Sequence, residues 1–221
     1  VDPENGDRRP VTDNDAEDRL IAAAGGKALV FRREPNGEPP IPVIVGASGN
    51  EQVVGDFSDR FKQTIDFPVA GNGRPFDGER FGMVLRNDPN TSPGWVGYYD
   101  GSDSEEIHVG EWTRPPVSLT PDGFVFAGRT GPLSGGGNRE IFVYDPESPM
   151  GLGRLTRTER YERNPTTSGA TVYWNTDEAV WMLRLGDDAP SEIHRGFCGP
   201  VNADGAYAVF ACDSEGKTID G

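Results

Sequence analysis

The stretch Pro116-Val-Ser-Leu-Thr-Pro-Asp-Gly123-Phe-Val-Phe126 decides the reading of the fold. Two β-prone runs flank an Asp-Gly corner, and Asp-Gly supplies the positive φ that a tight hairpin turn needs. The pattern recurs as Pro165-Thr-Thr-Ser-Gly169-Ala-Thr-Val-Tyr-Trp174 and as Pro200-Val-Asn-Ala-Asp-Gly205-Ala-Tyr-Ala-Val-Phe210. A degenerate copy is Ile21-Ala-Ala-Ala-Gly-Gly-Lys-Ala-Leu-Val-Phe31. A weaker fifth copy starts at Phe67-Pro68-Val-Ala and resumes, after a longer loop, at Arg80-Phe-Gly-Met-Val-Leu85. Alternation after the turn puts Val125, Val172 and Val209 on one face and aromatic neighbours on the other.

The landmarks Ile21, Pro68, Pro116, Pro165 and Pro200 are separated by 47, 48, 49 and 35 residues. Near-equal steps of this size match one four-stranded blade. A second unit recurs with them: Glu51-Gln-Val-Val-Gly55-Asp-Phe57, Glu106-Ile-His-Val-Gly110-Glu-Trp112 and Glu192-Ile-His-Arg-Gly196-Phe197. It reads as an outer strand ending at a glycine turn. Third strands are Val43-Ile-Val45, Val96-Gly-Tyr-Tyr99, Ile141-Phe-Val-Tyr-Asp145 and Val180-Trp-Met-Leu-Arg-Leu185. The chain therefore reads as one all-β domain over 1–221, a five-bladed β-propeller of four-stranded antiparallel blades. Its blades are expected at about 16–57, 58–112, 113–159, 160–197, and 198–221 joined to 1–15. The last unit has only 22 residues from Pro200 to Gly221, and Asp7-Arg-Arg-Pro-Val-Thr12 resembles the outer-strand segment Gly153-Arg-Leu-Thr156. The N-terminal strand is thus expected to complete the last blade, removing an exposed edge. The irregular second blade, between Asp56 and Asp88, is where this count is weakest.

Composition fits that reading. With 30 Gly and 19 Pro in 221 residues, turn signals run the whole length of the chain. A net charge of −15 opposes phosphate backbones, so no nucleic-acid partner is expected. No run approaches the ~18 apolar residues that span a bilayer, so no membrane insertion is expected. The sequence begins at Val1 rather than Met, which reads as a processed or excised product.

Arg154-Leu-Thr-Arg-Thr, Asn164-Pro-Thr-Thr-Ser-Gly-Ala-Thr-Val-Tyr-Trp174 and Val180-Trp-Met-Leu resemble the WD40-like repeat of TolB-type β-propellers. Pro121-Asp-Gly123, Val125-Phe126 and Ile141-Phe-Val-Tyr-Asp145 resemble the same motif one blade earlier. The likeness covers the second half well and the first half poorly. It implies an extracytoplasmic bacterial protein, secreted or periplasmic, of a kind that often binds other proteins. TolB itself has six blades and an extra N-terminal domain; the present sequence shows neither, so TolB's own partners are not carried over.

Candidate site residues come from one recurring position. Arg19, Arg60 (beside Asp59), Arg114, Arg163 and Arg195 stand just before the inner strands, with Trp112, Tyr161 and Phe197 nearby. In a propeller these would converge on one rim of the central channel, and arginine with aromatics makes a binding hot spot. The opposing reading is that each arginine pairs with an acid such as Asp18, Asp59 or Glu162 and ties adjacent blades together. Cys198 and Cys212 flank the last hairpin. With its turn near Asp204-Gly205, Cys198 falls opposite Phe210, and Cys212 becomes a diagonal neighbour within reach of a disulfide. Compartment favours the disulfide; two free buried thiols are the alternative, and a catalytic cysteine lacks a nearby base.

The remaining chemistry is sparse. His108 and His194 fill equivalent outer-strand slots in different blades, far apart around a ring, and no third histidine exists for a His-rich zinc site. Tyr99-Asp-Gly-Ser-Asp-Ser-Glu-Glu106 offers oxygen ligands of the type Ca²⁺ takes, but without EF-hand spacing, so a solvated turn is the plainer reading and no cofactor is expected. Ser134-Gly-Gly-Gly137 has no following helix or Lys and reads as a loop, not a phosphate cradle. No Gly-x-Ser-x-Gly elbow is present. Asp66 is the one clear acid on an expected inner strand. The resulting expectation is a monomeric, non-catalytic scaffold recognising a protein or peptide, acidic in character, at the channel mouth. The alternative is a carbohydrate-binding or glycoside-hydrolase-like five-bladed propeller, which would need two acids facing the channel about 5–10 Å apart. A third reading is a sensor domain cut from a longer chain.

Overall fold

Every described sheet is antiparallel and built from strands consecutive in the chain, the meander that short loops between β-prone runs dictate. The computed structural model describes residues 12, 15–33, 35–36, 40–54, 73–85, 95–108, 113–129 and 138–213. The first sheet holds β1 (Glu17–Ala24), β2 (Lys27–Arg33), β3 (Ile41–Gly46) and β4 (Glu51–Val53). The second holds β5 (Phe81–Leu85), β6 (Trp95–Tyr99) and β7 (Ser104–His108). The third holds β8 (Thr113–Leu119), β9 (Phe124–Arg129), β10 (Arg139–Tyr144) and β11 (Leu152–Arg154). The fourth holds β12 (Arg163–Ser168), β13 (Thr171–Asn175), β14 (Ala179–Arg184) and β15 (Ser191–Arg195). The last pairs β16 (Asn202–Asp204) with β17 (Tyr207–Val209). The expected N-terminal strand, the inner strand near Phe67–Ala70 with Asp66, and the loop at 134–137 lie outside the described residues.

Period-two alternation explains why the sheets stack face to face. On β2, Leu29 and Phe31 face the second sheet, packing with Phe81, Met83 and Tyr99. Val84, Val96 and Tyr98 point the other way, into a cluster with Phe124 and Phe126 of β9. Val125 and Ala127, on the opposite face of β9, meet Val172 and Trp174 of β13. Tyr173 then faces Val201 and Ala203 of the last hairpin. Each of the first four sheets thus buries residues on both faces, and aromatic pairs strengthen one seam: Tyr98–Phe124 centroids are 5.3 Å apart and Phe124–Tyr144 5.1 Å. Val30, Val43 and Val45 form a further buried cluster on the face of the first sheet turned away from the second. The common valine face expected from the sequence fails: Val125 faces the following sheet, Val172 faces the preceding one beside Trp174, and Val209 is exposed because in β17 the inward residue is Ala208.

Two turns differ from the sequence reading. Gly205 and Gly169 do sit at positive φ, 56° each, but Gly123 does not. Gly123 is required by proximity instead: a Cβ there would stand 2.0 Å from the Tyr144 carbonyl oxygen. The last hairpin turns at Gly205-Ala206, with Asp204 opposite Tyr207. That is one residue later than the sequence reading; the hairpin register alone would set Cys198 opposite Asp213, and a one-residue slip between the hairpin and the cysteine bridge puts Cys212 directly opposite Cys198 instead of diagonal to it. The two are joined by a disulfide.

Inner strands follow the proline positions. β8 carries Pro115-Pro116 and β12 carries Pro165. Proline cannot donate to a ladder, so such strands need one free edge, here the edge toward the centre. Each of β1, β8 and β12 also slips register partway along: between Leu20 and Ala22, Arg114 and Val117, Arg163 and Thr166. Asn164, at φ 51°, marks the slip in β12. Side by side, β5 packs on β8, β8 on β12, and β12 on β16.

Candidate functional site

The C-terminal ends of three inner strands converge on one cavity of about 490 Å³. Ala22, Ala23 and Ala24 of β1, Leu119 with Thr120 after β8, and Thr167 of β12 line it. Small side chains leave the backbone close to the void, as Gly25, Gly73 and Gly169 also do. The segment Gly73–Pro75 runs along the free edge of β8: the Leu119 N–H donates to the Arg74 carbonyl at 2.9 Å, and the Arg74 N–H donates to Ser118 Oγ at 3.0 Å. A Cβ on Gly73 would stand 2.5 Å from Pro116, so only glycine permits this approach. Ser118 and Thr167, both buried, are hydrogen-bonded at 2.9 Å and fix β8 against β12 below the cavity.

Two arginines edge this mouth. Arg80 is committed: it donates to the carbonyls of Pro121 at 2.6 Å and Thr120 at 3.1 Å, and to Asp77 at 2.8 Å. Asp77 is the one carboxylate among the described lining residues; burial works against its charge, but hydrogen bonds from Arg80 and Glu79 outweigh that and hold it below the usual range. Arg74 reaches Asp204 of β16 at 3.2 Å, an ion pair between two exposed side chains and hence a weak one. Neither arginine was singled out from sequence. Gly73-Arg-Pro and Asp77-Gly78-Glu-Arg80 signal turns, but only the tertiary arrangement puts those turns at the channel.

The arginines singled out from sequence are distributed differently. Arg60 and Trp112, and the side chain of Arg114, lie outside the described residues. Arg19 is exposed on β1. Arg163, at the start of β12, pairs with Asp177 of the β13–β14 turn and lies 5.4 Å from the Phe197 ring. Arg195 lies on β15, the outermost strand of its sheet, and pairs with Glu192 at 2.9 Å. It is therefore not on an inner rim; the six residues 196–201 separate it from β16. Tyr161 carries the buried Arg139 guanidinium 4.2 Å above its ring. Arg163 and Arg195 each close their ion pair within one blade rather than between blades. Asp18 serves Arg32 of the neighbouring strand, and Glu162 is bonded to Thr158. A second cleft of about 550 Å³, lined by Arg160, Arg195, Phe197, Asp177 and Glu178, flanks this outer edge.

Other polar groups serve the scaffold. Arg32, buried in the first sheet, binds Asp18 at 2.9 and 3.0 Å and Glu51 at 2.6 and 2.7 Å, so one guanidinium clamps three strands. The Glu51 carboxylate is held below its usual range by those bonds. In the acidic turn, Asp100 Oδ1 accepts from the Ser102 and Asp103 N–H groups at 2.7 and 2.8 Å, and Glu105 accepts from the Tyr144 hydroxyl at 2.6 Å across the seam. These carboxylates are bonded within the chain.

The repeated sheets and the central cavity define the class: this is a β-propeller. Solved structures with the same architecture include a prolyl endopeptidase, 14% identical with a TM-score of 0.61 over 88% of this chain and 32% of that one. The β-propeller domain of the Trilobed protease from Pyrococcus furiosus, described as having an open velcro topology, is 10% identical with a TM-score of 0.54, over 87% of this chain and 60% of that one. A TolB-like protein of Agrobacterium tumefaciens is 15% identical with a TM-score of 0.51, over 92% and 73%. At such identities the likeness establishes the fold alone. The chain spans about a third of the prolyl endopeptidase and 60% of the Trilobed protease chain. No protein-family pattern matches the sequence, and no curated protein does.

Proposed function

We propose that this chain is a binding propeller, TolB-like in its repeats, whose channel mouth takes an extended protein or peptide segment. The observation that carries the reading is Gly73–Pro75 hydrogen-bonded along the free edge of β8. There β8 takes one extended segment of its own chain, and strand addition is a general peptide-recognition mode, which a partner would use at the neighbouring cavity-lining ends of β1 and β12. Arg74, half-exposed at the rim of a chain of net charge −15, gives the mouth a local preference for acidic residues or a C-terminal carboxylate. The ring itself is proposed to close as five blades, the last completed by the N-terminal strand. The buried Val30, Val43 and Val45 on the outer face of the first sheet support this, since a fifth blade would cover them. The disulfide fits an extracytoplasmic, secreted or periplasmic setting.

A second reading, a propeller domain serving a peptidase, is favoured by the match to the prolyl endopeptidase and the Trilobed protease propeller. One experiment addresses both. Fluorescein-labelled ten-residue peptides, acidic or neutral and with free or amidated C-termini, are titrated with the protein and then checked by mass spectrometry. Saturable binding of an acidic peptide that stays intact, weakened at least tenfold by Arg74→Glu and unchanged by Arg195→Glu, is the expected result. No binding by any peptide, or equal affinity of Arg74→Glu, would refute the mouth as the site. Cleavage of the peptide would refute the non-catalytic reading.

A further inference from the structure

We propose that the corner after β15 is a redox-gated site for a thiophilic divalent cation of the Zn²⁺ type, ligated by His194, Cys198 and Cys212 once their disulfide is reduced. The ligand atoms of these three residues all lie within 4.8 Å of one another. Nothing in the channel-mouth reading uses them.

The backbone gathers the three side chains independently of the disulfide. β15 ends at Arg195, and Gly196, at φ 137°, turns the chain while its N–H donates to the Glu178 carbonyl at 2.6 Å. Cys198 is then fixed by Asn175, whose Nδ2 donates to the Cys198 carbonyl at 2.9 Å. Two ladder bonds flank the cysteine pair: the Gly199 N–H to the Ala211 carbonyl at 2.8 Å, and the Asp213 N–H to the Phe197 carbonyl at 3.1 Å. These bonds persist when the sulfurs part, so the thiols stay opposed. The His194 ring is held beside them, 5.7 Å from the Phe210 ring. Sequence reasoning placed His194 on an outer strand, remote from other ligands. It missed that the next turn folds the cysteines back beneath that strand.

Two thiolates and an imidazole form a ligand set suited to Zn²⁺, with Zn–S about 2.3 Å and Zn–N about 2.0–2.1 Å. Donor atoms in a tetrahedral site of those bond lengths stand roughly 3.5–3.8 Å apart, so on reduction the two bonded sulfurs must part to that distance while the imidazole nitrogen moves in by up to about 1 Å. His194 is exposed, and rotation of its side chain supplies that movement. The same exposure leaves the fourth position to water. The chemistry balances as follows. A dithiol reductant passes two electrons and two protons to the Cys198–Cys212 bond and is itself oxidised to a disulfide. The cation then displaces both thiol protons, which pass to solvent, and binds two thiolates and the neutral imidazole. Disulfide and metal site are mutually exclusive states of one corner.

The test uses the full chain, reduced with a phosphine that does not chelate as a dithiol would, desalted without oxygen and titrated with Co²⁺. One equivalent of Co²⁺ giving a thiolate-to-cobalt charge-transfer band, displaced by Zn²⁺ and absent from the oxidised protein, is expected. His194→Ala, which leaves the disulfide intact for folding, should weaken Co²⁺ binding at least tenfold once reduced. Absence of the band in reduced wild type, or equal affinity in His194→Ala, overturns the proposal. So does loss of the far-ultraviolet β signal on reduction before metal is added, because the site depends on the preserved ladder.

Discussion

Replacing Glu162 by Gln should make the protein less sensitive to pH near neutrality, and the structure gives the size of the effect. Glu162 is 1% exposed between β11 and β12. Its Oε1 accepts the Thr158 hydroxyl at 2.5 Å, while Oε2 has no hydrogen-bond partner among the described residues. Burial pushes the Glu162 carboxyl up to about 7, opposed in part by the Thr158 bond and reinforced by the nearby Glu140 charge. Glu140 is itself matched by Arg154 and by the Thr156 hydroxyl at 2.6 Å, so of the pair Glu162 is the one with no ion-pair partner among the described residues. Between pH 4.5 and 7 the folded state holds a proton at this site that the unfolded chain has released. Stability from this group is therefore complete below about pH 4.5, falls as pH rises, and levels off above about 7. A shift of this size corresponds to roughly 3 kcal/mol as an order of magnitude. Gln keeps an acceptor for Thr158 and never ionises. Urea unfolding of both proteins across pH 4–8.5 isolates the term, because the other carboxylates cancel in the difference. The variant should gain up to about 3 kcal/mol on wild type between the two ends of that range. A difference that stays flat, or that grows toward acid, would refute the argument.

Three further outcomes follow from the same framework. Cys198→Ser with Cys212→Ser opens a loop of sequence separation 14, which should cost about 3 kcal/mol and roughly 6–12 °C of Tm by calorimetry. Gly123→Ala forces a methyl against the Tyr144 carbonyl and should cost more than about 2 kcal/mol, whereas Gly205→Ala, strained at φ 56° but with nothing within 4 Å, should cost about 1 kcal/mol; urea midpoints that rank them the other way would contradict the turn assignments. Deleting residues 1–15 should lower Tm by at least about 5 °C if those residues complete the last blade, since an unpaired blade loses both ladder and cover, and an unchanged melt would remove the closure proposal.

The blades were legible because each repeat is under the same physical demand twice over. A propeller sheet buries both faces, so Leu29 and Phe31 must alternate with Ala28 and Val30, and Phe124 and Phe126 with Val125. That demand stamps period-two patterns at intervals of 47 to 49 residues, and outer strands such as Ser191–Arg195 ended at the expected glycine. Turn chemistry was legible only in part, because glycine answers two different needs. Gly205 supplies a positive φ and Gly123 supplies room, and nothing local to the sequence separates them.

The site was the least legible element, for a related reason. Residues that line the mouth come from places where repeats end, and there the chain is free of the alternation that makes strands readable. Arg163 and Arg195 share a sequence context, yet one begins an inner strand and the other ends an outer one. Proline offers the better guide. Pro115, Pro116 and Pro165 cannot sit in a doubly paired strand, so their presence alone marks β8 and β12 as strands with a free edge. A free inner edge is also what the Arg74 carbonyl exploits when it accepts from Leu119. Proline itself offers no N–H to any partner, so a segment added at this edge must pair with the residues that flank the prolines, as the Arg74 carbonyl does with the Leu119 N–H, and that is where the proposed peptide site lies.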